Sequence, residues 1–271
     1  MKLRKIHFLM LTALLAFIPE MASAWGSRAH AAIAYIAEQH MTPKAKKTVN
    51  EILDGKSLVY YASWMDTYKP YMLIKYTDKN GNEKTRTIPH TFKVTMELTP
   101  RHDPPHEGVY TLNEAVANLR DYKNISDSLR LVSMQILAHL VGDIHCPGHV
   151  KYADGRDREI GHDIPITFYG NPYSYHRLWD DVFVDKICPG KSWTDLAYMA
   201  DRASRKEIKE IQSGTIEDWA QDIIDSTKDI WYVQEGDELG LEYVTKYRDL
   251  AYRQIERAGL RLAKLLNDLF D

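Results

Sequence analysis

His139-Leu-Val-Gly-Asp143-Ile-His145-Cys-Pro-Gly-His149 is the stretch that decides how this chain is read. It has the spacing H-x3-D-x5-H and lies in a run that predicts a helix from about Ser126. Four residues apart, His139 and Asp143 fall on one helix face, one turn from each other. An imidazole and a carboxylate side by side on an apolar helix are expensive to bury unless something pairs with them. A divalent cation does so, and zinc suits nitrogen and carboxylate ligands. His145 lies six residues beyond His139, about 240° around the helix, so it points away from that face. It is expected behind the ligands or in packing.

A second segment, His176-Arg-Leu-Trp179-Asp180, repeats the pattern. One H-x3-D pair arises often by chance; two in one chain, with His149 between them, carry far more weight. Arg177 and Asp181 are expected either to be solvated or to support the ligands from behind. Three further residues are ambiguous when taken singly. Asp66 closes an aromatic run, Tyr60-Tyr-Ala-Ser-Trp64-Met-Asp66, and taken alone reads as a surface carboxylate near a helix end. His90 follows Ile88-Pro89, and His30 stands near the start of the chain after its leader. His40, His102 and His106 have no partner pattern and are expected at the surface.

That leader is residues 1–24. Lys2, Arg4 and Lys5 precede an apolar stretch from Phe8 to Ile18, and Ala22-Ser23-Ala24 is an A-x-A cleavage signal. The stretch is too short for a spanning helix, and no cysteine follows it for a lipid anchor. A periplasmic or secreted protein starting at Trp25 is expected. Removing the segment takes away three basic residues and one acidic residue, moving the net charge from −3 to about −5. Nucleic-acid binders usually carry a basic stripe, but bound cations reverse the local sign. Export permits a disulfide between Cys146 and Cys188. The alternatives are two half-buried thiols, or Cys146 as a thiolate ligand.

The mature chain, 25–271, is expected to be one domain. Helical periodicity covers Ala29–Gln39, a second helix from Thr42-Pro43 through Leu53, Ser57–Tyr68, Leu112–Tyr122, Ser126–Asp143, Tyr175–Lys186, Trp193–Arg205, Thr215–Thr227 and Leu239–Leu269. Leu250, Ile255, Leu260, Leu262 and Leu266 in the last segment are core. Met72–Tyr76 and Thr85–Val94 flank Asn80-Gly81 as a hairpin that includes His90. Ile164–Phe168 alternates like a strand, and Thr99–Gly108 is a loop rich in His, Asp and Pro. The fold class is mainly α with a small β-hairpin.

Taken together, these residues resemble the S1/P1 nucleases, zinc phosphodiesterases related in fold to bacterial zinc phospholipase C. The resemblance covers almost all of the mature chain. It rests on Trp25-Gly26, His30, the run Ala62-Ser-Trp-Met-Asp66, His90, the His139 motif and His176-x2-Trp179-Asp180. It implies a single helical domain holding three zinc ions. The freed amine and carbonyl of Trp25, with His30, would bind one ion. Asp66, His90 and His139 would bind a second, Asp143 would bridge those two, and His149, His176 and Asp180 would hold the third. The implied activity is hydrolysis of single-stranded DNA and RNA, and of 3′-nucleotides, by a monomer with no stable membrane association. Asp66 is the candidate to orient or deprotonate the attacking water. Lys69 either stabilises transition-state charge or is a solvated helix-end lysine.

The chain departs from the family at two places. Relatives follow the hairpin histidine with an aromatic and soon an acidic residue for a nucleobase, whereas this chain has His90-Thr91-Phe92-Lys93. A Gly-Gly-Asn near the substrate phosphate is replaced by Ile160-Gly161-His162-Asp163. His162 is therefore expected to donate to the phosphate, to act as an acid near the leaving group, or to cap the strand. Tyr173 and Tyr175 offer an alternative stacking platform. Two other functions share the same ligands: a zinc phospholipase C, whose lineage tends to use Glu where this chain has Asp180, and a non-catalytic zinc-binding protein.

Overall fold

A helix that is apolar on every side belongs in the middle of a protein, and the helix carrying His139 is such a helix. In the computed structural model every residue from Ser133 through His145 is buried. The structure describes residues 25–68, 73–77, 80–102, 106–153, 159–160 and 164–271. Residues 1–24, expected to be a leader, and Lys69 and His162 lie outside the described residues.

Helices α1 (Gly26–His40) and α2 (Pro43–Ile52) come first, and Thr42 caps α2 by accepting from the Ala45 amide. The expected helix over Ser57–Tyr68 divides into α3 (Leu58–Tyr61) and α4 (Trp64–Tyr68). Strands β1 (Leu73–Thr77) and β2 (Glu83–Thr87) form the expected hairpin, with Gly81 at φ 82° in its turn. The hairpin ends earlier than expected. Ile88 is buried and Pro89 has no N–H for the ladder. The chain then turns into β3 (Phe92–Val94), which joins a different sheet, so His90 lies at a corner between sheets rather than in the hairpin strand.

Strand β3 pairs with β4 (Pro100–Arg101) and, across α5 (Gly108–Arg120) and α6 (Asp127–His145), runs parallel to β5 (Val150–Ala153). The strand β6 (Glu159–Ile160) completes that sheet. The expected strand near Ile164 is β7 (Pro165–Phe168), paired with β8 (Asn171–Ser174) through Tyr169-Gly170, both at positive φ as a two-residue hairpin requires. The β content is thus three small sheets among the described residues, more than one hairpin.

A helical stretch continues from α7 (Tyr175–Arg177) through a wider π turn (Leu178–Val182) into α8 (Phe183–Ile187). The segment expected as one helix over Trp193–Arg205 is α9 (Trp193–Ala200) and α10 (Arg205–Ile211). Between them the Arg202 and Ala203 amides donate to Glu256, and Ser204 starts the new helix with a capping box. Beyond α11 (Ile216–Thr227) and the short β9 (Glu238–Leu239), which runs parallel to β7, the final helix α12 (Leu241–Phe270) covers α1. Gly259 makes that approach possible, since a Cβ there would lie 2.6 Å from Ile36. His40, expected at the surface, instead pairs with Asp201 at 3.0 Å and ties the end of α1 to the end of α9. No helix among the described residues is long and apolar enough to cross a membrane.

Candidate metal centre

Asp143 is the hub of the centre. Its carboxylate is fully buried, and three imidazoles converge on it. His30 Nε2 is 3.3 Å from Oδ1, His139 Nε2 is 3.1 Å from Oδ2, and His149 Nδ1 is 3.6 Å from Oδ1. These distances look like ion pairs, yet neither oxygen of Asp143 and neither ring nitrogen of His30 makes a hydrogen bond of acceptable geometry. Buried polar atoms rarely go unsatisfied. Two ligands bound to a tetrahedral zinc at about 2.0–2.1 Å sit roughly 3.3–3.4 Å apart. The spacing therefore suits groups that share a cation better than groups that bond to each other.

The network extends on both sides of Asp143. His139 Nε2 also faces Asp66 Oδ1 at 3.5 Å. His149 turns its other nitrogen, Nε2, to Asp180 Oδ1 at 3.0 Å, and His176 Nε2 lies 3.6 Å from Asp180 Oδ2. The backbone nitrogen of Trp25 is 2.9 Å from Asp180 Oδ1. Rings stack in pairs, His30 on His139 at 4.1 Å and His149 on His176 at 5.2 Å, while His90 meets His149 edge-on at 4.9 Å. All nine metal-ligand positions named from the sequence thus meet in one place. Two compact triads stand out, His30–His139–Asp143 and Cys146–His149–Asp180, each with ligand atoms within 4.8 Å of one another.

Local structure explains the aim of each group. The break between α3 and α4 leaves the Ala62 carbonyl outside a helical ladder, and His139 Nδ1 takes it as acceptor at 2.7 Å. That bond fixes the tautomer and points Nε2 at the carboxylates. Burying the Trp25 indole completely, with Nε1 donating to the Gly142 carbonyl at 2.9 Å, anchors the start of α1 to α6. His176 and Asp180 are brought together across the π turn, a feature frequent at functional sites. Gly142 was not singled out from the sequence. A Cβ there would stand 2.8 Å from His30 Nδ1. The available signal was a lone glycine inside a helical pattern, a mark of close approach. Gly142→Ala is expected to lower stability by about 1–3 kcal/mol through overpacking and to weaken metal retention by displacing His30. Denaturant unfolding and metal content measured on the same preparation check this.

Electrostatics follow from burial and mutual attraction. Burial works against the Asp143 carboxylate, but His139 and His149 hold it well below the usual range. Burial likewise disfavours charge on His139, and attraction to Asp143 and Asp66 overrides this, raising it to about 9. Asp180 is lowered by His149 and His176 against the opposing effect of burial. A raised histidine stabilises the metal-free fold fully below about pH 6.5 and stops doing so as pH climbs through about 9. A lowered carboxylate stabilises it above about pH 3.8 and ceases to as pH falls through the depressed value. The metal-free protein is therefore expected to lose stability between about pH 6.5 and 9. Loaded protein is expected to gain over the same interval, because a ligand histidine must be neutral. Urea midpoints with and without chelator measure this, and parallel profiles would contradict it.

Other expectations are corrected or refined. Cys146 and Cys188 are both free thiols and both buried. Cys146 Sγ lies 4.0 Å from Asp180 Oδ1, and burial followed by Asp180 raises its pKa well above the ordinary value. Cys188 Sγ donates to the Val184 carbonyl at 3.1 Å. Tyr175 is no stacking platform. It is wholly buried, with its hydroxyl bonded to the Ile230 carbonyl and the Tyr243 hydroxyl. Tyr173 remains half-buried on β8, with the Arg177 guanidinium 5.6 Å from its ring centre. Phe92 is buried in the sheet opposite Val150. His145 is packing, as expected. Nδ1 donates to the Val141 carbonyl, and Nε2 accepts from Arg261, whose guanidinium also binds Asp222.

A model of the S1/P1 Nuclease family matches residues 25–271. Nuclease S1 of Aspergillus oryzae is 25% identical over 287 aligned residues, covering 92% of this chain and 93% of that protein. Endonuclease 2 of Arabidopsis thaliana is 24% identical over 302 residues, covering 98% and 97%. Nuclease P1 of Penicillium citrinum is 26% identical over 197 residues, covering 70% and 68%. With the family match running from the buried Trp25 to the end of α12, the chain belongs to the S1/P1 nuclease family.

Proposed function

We propose that this nuclease holds three zinc ions and hydrolyses phosphodiester bonds of single-stranded DNA and RNA, with 3′-nucleotides as smaller substrates. The observation that carries the reading is the convergence of His30, His139 and His149 on the two unsatisfied oxygens of buried Asp143. In this assignment the Trp25 amine and carbonyl with His30 hold one ion, and Asp66, His90 and His139 hold another. Asp143 is shared between them, and His149, His176 and Asp180 hold the third. Zinc supplies a nucleophile at neutral pH and neutralises charge on the phosphate and leaving oxygen.

The chain's own groups do the rest. Asp66 keeps 11% of its side chain open to solvent, so its carboxylate can orient the attacking water and take its proton. Asp143 is wholly buried and holds the imidazoles in register. Lys69 and His162 are assigned to transition-state charge and to the phosphate or leaving group. Residues 1–24 are assigned as an export signal cleaved after Ala24, with the mature protein secreted or periplasmic and monomeric. Hydrolysis of single-stranded DNA, RNA and 3′-nucleotides should vanish on chelation and return with zinc, tracked alongside elemental analysis. Undiminished activity of the metal-free protein would refute the proposal. Phosphatidylcholine, assayed in parallel, tests the phospholipase alternative, and zinc binding without turnover on any phosphoester would favour the non-catalytic one.

A further inference from the structure

α3 and α4 carry a row of aromatic side chains that the metal centre does not use. Tyr60 is 64% exposed and Tyr68 52% exposed, with Trp64 half-buried between them. Within α4 the four-residue step brings the Trp64 and Tyr68 rings to 6.0 Å of each other, while Tyr60 stands on α3, before the break between the two helices. Tyr61 meets Tyr60 edge-on at 4.8 Å. The exposed Lys56 holds its ammonium 4.6 Å over the Tyr60 ring and 5.8 Å from that of Tyr61. Large rings grouped at a surface, with a cation at one end, mark an interaction site more often than chance exposure.

The placement of the row gives its purpose. The row passes the metal centre at α4, where Asp66, on the other face of that helix from Trp64 and Tyr68, faces His139, and the Ala62 carbonyl just before α4 binds the same ring. At its α3 end the Leu58 amide donates to Glu38 at 2.7 Å, near the far end of α1. His30 and Glu38 are eight residues apart on α1, about 12 Å along its axis. The α3 part of the row, with Lys56 at its outer end, therefore leads away from the centre over roughly that distance. A single strand has this composition in complement, with flat bases for the rings and phosphates for the ammonium. Base–aromatic stacking tolerates any sequence because every base has a π face. In a chain of net charge −3, a local cation beside rings is where a phosphate is favoured.

We propose that Lys56, Tyr60, Trp64 and Tyr68 form a binding track for the single-stranded polynucleotide on one side of the scissile bond. The rings stack bases and Lys56 takes a phosphate. This rests on the reading that the substrate is single-stranded nucleic acid. The test compares the zinc-loaded wild type with Tyr60→Ala/Tyr68→Ala and with Lys56→Gln, on a long oligothymidylate and on a dinucleotide too short to reach the track.

For the long substrate the double variant should raise KM on the order of tenfold or more. Its kcat/KM on the dinucleotide should stay within about twofold of wild type. Lys56→Gln should reduce the salt dependence of binding the long substrate by about 0.7 in log–log slope, one phosphate's worth. Equal losses on long and short substrates, or no loss on either, would overturn the track. So would loss of vesicle binding in the double variant with KM for the long substrate unchanged, which would make the row a lipid contact. If the wild type cleaves neither substrate, the proposed function fails. The track is then judged by the Kd of a fluorescent oligothymidylate, and equal values for wild type and double variant would sink it.

Discussion

Asp143→Asn is expected to lower kcat/KM on single-stranded DNA by on the order of a thousandfold or more. The substitution keeps the volume and one carbonyl oxygen but removes the charge that three imidazoles surround. Metal retention should fall with activity, since the missing carboxylate is the group shared between two proposed sites. Stability should respond far less. In the metal-free protein the imidazoles can lose their protons, so the penalty is that of imperfectly satisfied polar groups, about 1–3 kcal/mol. His139 should also lose most of its upward pKa displacement, because Asp143 is the strongest influence raising it. Asp66→Asn provides the contrast. That carboxylate lies at the open edge and touches His139 at 3.5 Å, so its loss should reduce turnover while more metal stays bound. Elemental analysis, steady-state kinetics and urea unfolding on both variants separate these outcomes. A fully loaded, fully active Asp143→Asn protein would remove the basis of the assignment.

What could be read in the sequence was what local geometry determines. His139 and Asp143 are four residues apart on one helix, and helical spacing alone brings them together; His176 and Asp180 have the same separation but meet across a π turn. Thr42-Pro43 and the helical pattern from about Ser126 likewise mark helix starts, and the structure caps a helix at each. What escaped was settled by partners far along the chain. No glycine or proline announces the break at Ala62-Ser63. Its consequence is a hydrogen bond to His139, 77 residues away. The gap after Ala200 is held by Glu256, more than 50 residues on. Tyr175 looked available beside a strand, but its hydroxyl is claimed by Ile230 and by Tyr243 of α12. The corner at His90 did have a local sign in Pro89, which cannot extend a ladder. The β pattern of the residues around it nonetheless continues to Val94, whereas the ladder of β2 stops at Thr87 and His90 belongs to the corner.

Retaining residues before Trp25 is expected to cost the protein a metal ion and on the order of a hundredfold in activity, the scale of losing one well-placed electrostatic group. A peptide nitrogen has its lone pair delocalised into the carbonyl and is no ligand. A free α-amine, with a pKa of about 7.7–8.0, becomes one near neutral pH. The fold holds this nitrogen inside the centre, where in the uncleaved chain its N–H donates to Asp180, a ligand proposed for the neighbouring ion. The Trp25 ring is completely buried and tied to the Gly142 carbonyl, and the nitrogen lies 2.9 Å from Asp180 Oδ1. Trp25 also has φ 54°, a left-handed conformation that L residues with large side chains seldom adopt. The proposed cleavage after Ala24 would remove the preceding carbonyl carbon, one of the four atoms that define that angle, so it would both free the amine and release the constraint. A form carrying one extra residue before Trp25 isolates the effect, since it leaves every side chain of the centre unchanged. It should bind less zinc than the processed protein, and proteolytic removal of the extra residue should restore metal content and activity together. Full zinc loading and full activity in the extended form would show that the nitrogen of Trp25 is structural and that His30 acts without it.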